Sequence, residues 1–195
     1  MSFPRLALTQ RPAMVLVGVQ SSVGNDAHEE GAFVAMAVYA PGTAEAHGIV
    51  VAVVTTQCGT FGQECDALRW LQRAFRREPL LRGVPVGLHV DPGTPMTVHY
   101  LLRAMGDTDM RFLRVPHYLS DLRTLAHHQA GNWQAWMRGV STTCITRGAQ
   151  PQHVLVRRLY AQFSEYVLGQ NGGKPDALAF ALSIVTPCCW ADNGA

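Results

Sequence analysis

Four arginines, Arg69, Arg73, Arg76 and Arg77, recur within one short stretch and are followed by Arg82. Such a cluster could track the phosphates of a nucleic acid, because each guanidinium offers a planar fork of donors to phosphate oxygens. A solvated helix face accounts for the same pattern. Of the 16 Lys and Arg residues only Lys174 is Lys, a bias that a GC-rich genome also produces. His127 and His128, with Trp133 and Trp136 close behind, could form an edge on which bases stack; they read equally well as an amphipathic helix using Trp as core. The 5 cysteines, Cys58, Cys65, Cys144, Cys188 and Cys189, are odd in number and contain no C-x-x-C pair. That excludes neither packing nor exposure of the thiols, but it argues against a disulfide framework and a structural zinc site.

Three acids stand at the ends of expected elements. Glu64 lies in the first turn of an expected helix, where a carboxylate offsets the helix dipole. Asp91 opens Asp91-Pro92-Gly93, a turn sequence in which Asp caps its own backbone. Asp176 precedes an apolar helix, Asp176-Ala177-Leu178-Ala179, as a natural N-cap. Each has a structural role available to it before any chemistry is assigned.

The elements that must position these residues follow from periodicity. Apolar runs at 13–20, 32–40 and 48–56, joined by Gly-, Asn- and Pro-containing connections, predict three strands in an antiparallel meander. Residues 63–78 then change period: Glu64, Leu68, Leu71 and Phe75 share one face and the arginines lie elsewhere, which predicts an amphipathic helix. A fourth strand is expected over 84–90, and a helix from Thr94 to Met105 with Pro95 in its first turn. Further on, 110–116 reads as a strand, 118–138 as helical, 140–152 as a loop, and 153–168 as either strand or helix. There is no internal repeat or interdomain linker. The 195 residues, 48% hydrophobic and 15% charged, suffice for one domain with a sizeable core. The longest apolar runs fall far short of a membrane span, and Met1-Ser-Phe-Pro lacks a basic start followed by an apolar stretch. A soluble, unexported protein with reduced thiols in a cytoplasmic compartment is the expectation.

In the order of these elements and acids, the chain resembles type 1 ribonuclease H and, more broadly, the ribonuclease H-like superfamily. Gln20-Ser21-Ser22-Val23-Gly24-Asn25 stands where that family ends its first strand in an acid followed by small residues and a Gly-Asn loop. Glu64 matches the family's helix-start Glu, Asp91 its strand-end acid, and Asp176 the acid that opens its closing helix. The resemblance spans about 13–182. It implies an α/β fold with a mixed five-stranded sheet, three antiparallel strands first, flanking helices, and here a helical extension in the second half. It also implies Glu64, Asp91 and Asp176 as ligands to Mg²⁺ or Mn²⁺ in a catalytic protein, since two-metal phosphodiester hydrolysis needs converging carboxylates. Asn25 becomes a minor-groove contact, where the 2′-hydroxyl distinguishes RNA from DNA. Arg69, Arg73, Arg76 and Arg77 become nucleic-acid contacts.

Gln20 departs from the family pattern, because a neutral amide replaces the acid that bridges both metals. Three consequences stand side by side: another acid contributes (Asp26, Glu29 or Glu30), the site uses one metal, or the protein is a pseudoenzyme that still binds nucleic acid. Two function classes follow. One is a metal-dependent endonuclease acting on RNA in RNA–DNA hybrids, with Gln20 a degraded or substrate-contacting fourth position. The other is a scaffold, without a cofactor, that binds nucleic acid or a protein partner. The final acid is Asp176 or Asp121, depending on whether the fifth strand is 110–116 or 153–159. The sequence leaves the oligomeric state open.

Overall fold

The structure, a computed structural model, describes residues 6, 8–22, 30–40, 49–57, 60–90, 99–100, 102–103, 110–112, 145–147, 153–155, 157–158 and 161. Strands β1 (Met14–Gln20), β2 (Gly31–Val38) and β3 (Ile49–Thr56) form the expected meander. β1 pairs antiparallel with β2, and β2 with β3. Val51 is the extra residue of a bulge in β3, where the register shifts between Ala35 and Met36. Helix α1 (Phe61–Arg77) follows, then a 3-10 turn at Pro79–Leu81 and strands β4 (Val86–Val90), β5 (Met110–Phe112) and β6 (Ile145–Arg147). The sheet order is β5-β4-β1-β2-β3-β6. β4 is parallel to β1, β5 to β4, and β6 to β3.

Two expectations are corrected. Among the described residues the sheet has six strands where five are expected, and the sixth arises inside 140–152, where the Ser, Thr, Gly and Pro content predicts a loop. Residues 153–155, 157–158 and 161 are helical, which removes the strand alternative there and leaves 110–112 as the strand beside β4. The expected helix over 94–105 is seen at 99–100 and 102–103.

α1 begins where Thr60, in extended conformation, accepts a bond from Gln63 N–H at 3.3 Å, supplying one of the first-turn donors with a partner. It stops at Glu78, because the residue before Pro79 is held out of the helical region. Glu78 is extended (φ −88, ψ 113) and its side chain caps Leu80 N–H. Gly83 carries the following turn at φ 72, a left-handed conformation that suits glycine.

One sheet face is clamped by α1. Val15, Val17, Val19, Phe33 and Ala35 form a single cluster with Leu68, Leu71 and Phe75, each large side chain contributing roughly 1.5–3 kcal/mol by burial. Residues of the opposite phase, Leu16, Val34, Met36 and Val53, are equally buried, as is Leu155 from the helical stretch after β6. Burial on both faces explains why these strands read as continuous apolar runs instead of alternating ones.

Candidate functional site

Gln20 ends β1 and pairs with Ala32 at the start of β2, while Gly31 pairs with Thr56 at the end of β3. β4 ends at Val90, beside Val19. The first turn of α1 closes over this end of the sheet, bringing Glu64 to the residues that follow β1.

Glu64 is fully buried, at 0% exposure. Ser21 Oγ donates to its Oε2 at 2.7 Å, and its Oε1 accepts from Ser22 N–H at 2.8 Å and Ser22 Oγ at 3.0 Å. A buried carboxylate requires this kind of compensation, because its oxygens are cut off from water and must find donors inside the protein. The opposite wall is as tight. A Cβ on Gly31 would stand 2.6 Å from Thr56 Oγ1 and 2.7 Å from Glu64 Oε1, and Gly31 N–H donates to Thr56 Oγ1 at 3.2 Å. Glycine at position 31 is therefore a packing requirement of the Glu64 carboxylate.

Gln20 is 3% exposed, and its Nε2 donates to Ser21 O at 3.1 Å. The structure thus brings Gln20 and Glu64 to one end of the sheet, joined through the Ser21-Ser22 turn. Asp91, Asp176, Asp121, Asn25, Asp26 and Glu29 lie outside the described residues, as do the His127-His128 and Trp133-Trp136 pairs. Glu30 is described: it is half-buried and ion-paired with Arg158 of the helical stretch after β6.

Among the described residues, no group of three or more His, Cys, Asp or Glu side chains is placed to hold a metal ion. Gln20 brings no charge, and three of the roughly four lone-pair positions of the Glu64 carboxylate already accept hydrogen bonds from Ser21 and Ser22.

Cys65, next to Glu64, is a buried free cysteine. Burial pushes its thiol above the ordinary 9.0; Asp66 and Glu64 act in the same sense, and the Arg69 guanidinium opposes them. It is an inert packed thiol by this criterion.

The solvent side of α1 is basic. Arg69, Arg73, Arg76 and Arg77 are all exposed, with Arg69 paired to Asp66 at 3.1 Å and Arg73 Nε donating to Arg69 O at 3.3 Å. Arg147, at the end of β6, donates from Nη1 to Asp66 O at 2.9 Å. Sequence reasoning missed Arg147, since the contact spans 81 residues and its strand was assigned to a loop. It also missed Ser21 and Ser22 as partners of Glu64, although helix phase placed Glu64 on the buried side. A separate crevice of about 540 Å³ lies at the far end of α1, where Phe75, Leu81, Val84 and Met110 meet Arg76 and Arg82.

No helix among the described residues is long and apolar enough to cross a membrane. No family model matches the chain, and no curated protein matches it. Among solved structures, the human cytomegalovirus terminase nuclease domain, Mn-soaked and inhibitor-bound, is similar over 92% of this chain and 84% of its own, with a TM-score of 0.58 and 10% sequence identity. At that identity the likeness is one of fold alone, a mixed α/β architecture with helices beside a mixed sheet.

Proposed function

We propose that this chain is a nucleic-acid-binding protein of ribonuclease H-like fold in which metal-dependent phosphodiester cleavage is impaired or lost. The observation that carries this reading is the committed state of Glu64, buried and hydrogen-bonded by Ser21 and Ser22, next to a first position that is Gln20 instead of an acid. A two-metal mechanism relies on carboxylates free to share cations. Here one position is neutral and the other holds the turn after β1. Glu64 is then a positioning residue, and nucleic acid is engaged through the arginine face of α1, with Asn25 as a further contact.

The second reading is a metal-dependent endonuclease on RNA in RNA–DNA hybrids. Its support is the fold shared with a Mn-soaked nuclease domain, together with the placement of Gln20 and Glu64 at one sheet end. In that case Glu64, Asp91 and Asp176 would hold Mg²⁺ or Mn²⁺, which when bound would supply an activated water and charge stabilisation of the leaving oxygen.

Cleavage of a labelled RNA–DNA hybrid and of duplex DNA, in Mg²⁺ and in Mn²⁺, separates the two readings when binding to uncut substrate is recorded alongside. Binding without cutting supports the first. Cutting that disappears in Asp91→Asn establishes the second. Neither binding nor cutting refutes both, and directs the search to a protein partner.

A further inference from the structure

We infer that Arg147 and the polar groove beside it extend the α1 arginine face to the site end of the sheet, forming one continuous track for the sugar–phosphate backbone of a duplex. This inference rests on the nucleic-acid reading above and names where the backbone runs. Arg147 is brought to α1 by the parallel pairing of β6 with β3, which sets Arg147 opposite Val54. Its guanidinium uses one of five donors on the carbonyl of Asp66. The Asp66 carboxylate is itself paired with Arg69. Arg147 therefore has no carboxylate partner among the described residues, and its charge is available to a phosphate.

Beside it lies a groove of about 290 Å³, formed by Thr55, Thr56, Gln57, Gln63, Asp66 and Arg147. Gln57 and Gln63 are exposed and give the groove amide donors and acceptors of the kind that bind phosphate and sugar oxygens. From there the exposed positions of α1 run through Arg69, Arg73 and Arg76. At 1.5 Å rise per residue these three span roughly 10 Å along the helix axis, and Asp66, the acid on this exposed face, is the residue flanked by Arg69 and Arg147. The partner class follows from what lines the track. Among the described residues the groove is lined by amide, hydroxyl and guanidinium groups and Trp70 of α1 is buried, a surface suited to phosphate and sugar oxygens of a paired backbone. A paired backbone read without base contacts binds with little sequence preference and steep salt dependence.

The test is fluorescence anisotropy of a labelled RNA–DNA hybrid with the whole protein in EDTA, from about 50 to 200 mM salt. The wild-type slope of log affinity against log salt is expected near −4, from about five cations contacting phosphates with partial screening by Asp66. Arg147→Gln is expected to make the slope shallower by about one and to weaken binding about five-fold at the low-salt end. Arg147→Lys restores the slope, since charge is what it reads. Gln63→Glu leaves the Asp66 carbonyl contact alone and weakens binding in the same direction, which separates an electrostatic effect from a folding defect. An unchanged slope in Arg147→Gln, or a labelled single strand binding as tightly as the hybrid, overturns this inference and leaves the nucleic-acid reading intact. No hybrid binding by the wild type overturns both.

Discussion

Replacing Glu64 tests whether its carboxylate is a structural acceptor or a metal ligand, because the two roles respond oppositely to an isosteric change. Glu64→Ala leaves Ser21 Oγ, Ser22 N–H and Ser22 Oγ without their acceptor inside a buried turn. Each orphaned donor that stays dry costs about 1–3 kcal/mol, and the deleted side chain leaves a void against Gly31. Against this, a buried charge is no longer desolvated, which returns part of the loss. The net expectation is a destabilisation of about 3–5 kcal/mol, as for breaking other buried charged networks, a large share of a typical domain's stability. Glu64→Gln keeps an oxygen for Ser22 and offers an amide donor to Ser21 Oγ, so its cost should stay within about 1 kcal/mol. Urea unfolding at equilibrium gives both values. The same variants in Mn²⁺ supply the second readout: a structural Glu64 predicts that any metal-induced gain in unfolding midpoint is equal in wild type and Glu64→Gln. The reasoning fails if Gln is as damaging as Ala, if Ala is neutral, or if Glu64→Gln alone abolishes a metal-induced gain.

Three further perturbations bear on the same end of the sheet. Gly31→Ala forces Thr56 Oγ1 and Glu64 Oε1 away from positions 2.6 and 2.7 Å from the new methyl; a loss of about 1–3 kcal/mol is expected, and a neutral result by urea unfolding would show that the carboxylate can move freely. The Glu30–Arg158 pair, 27% exposed on each side chain, should show a coupling of about 0.5–1 kcal/mol in a double-mutant cycle once solvent screening is allowed for, and no coupling would reduce it to a surface contact. Cys65, whose pKa is raised in the fold, favours its neutral thiol: its stabilising effect is complete below the ordinary value of 9.0 and is lost as the pH rises through the higher folded value. Iodoacetamide near neutral pH should accordingly label Cys65 only in urea, and fast native labelling would contradict its burial.

The first half of the fold was legible because its signals are local. Apolar runs bounded by turn residues located β1, β2 and β3, and the change of period at Glu64 located α1 and its buried phase. β6 left no such signal. Three residues are too few to display an alternation, and Ile145–Arg147 becomes a strand by backbone pairing to the edge of β3. The stretch after His153 is helical although its sequence fits either state, so tertiary packing of Leu155 decides what propensity does not. The candidate site divides in the same way. The side of α1 on which Glu64 lies could be read from helix phase, whereas its partners Ser21 and Ser22, 43 and 42 residues away, and the Glu30–Arg158 contact across 128 residues follow from chain topology alone. Asp91, Asp176 and Asn25 lie outside the described residues.

The pairing of β6 with β3 has a consequence during synthesis. β3 is Ile-Val-Val-Ala-Val-Val-Thr-Thr, rich in β-branched residues, uncharged and free of proline, which is the composition of an aggregation-prone segment. Its outer edge is capped by a strand about 90 residues downstream, a closure that costs about 4 kcal/mol in chain entropy and forms slowly for that reason. A chain leaving the ribosome therefore carries a naked β3 edge until residues 145–147 emerge. Truncations that end before β6 should be recovered from inclusion bodies, and chaperone dependence should fall once Arg147 has been translated.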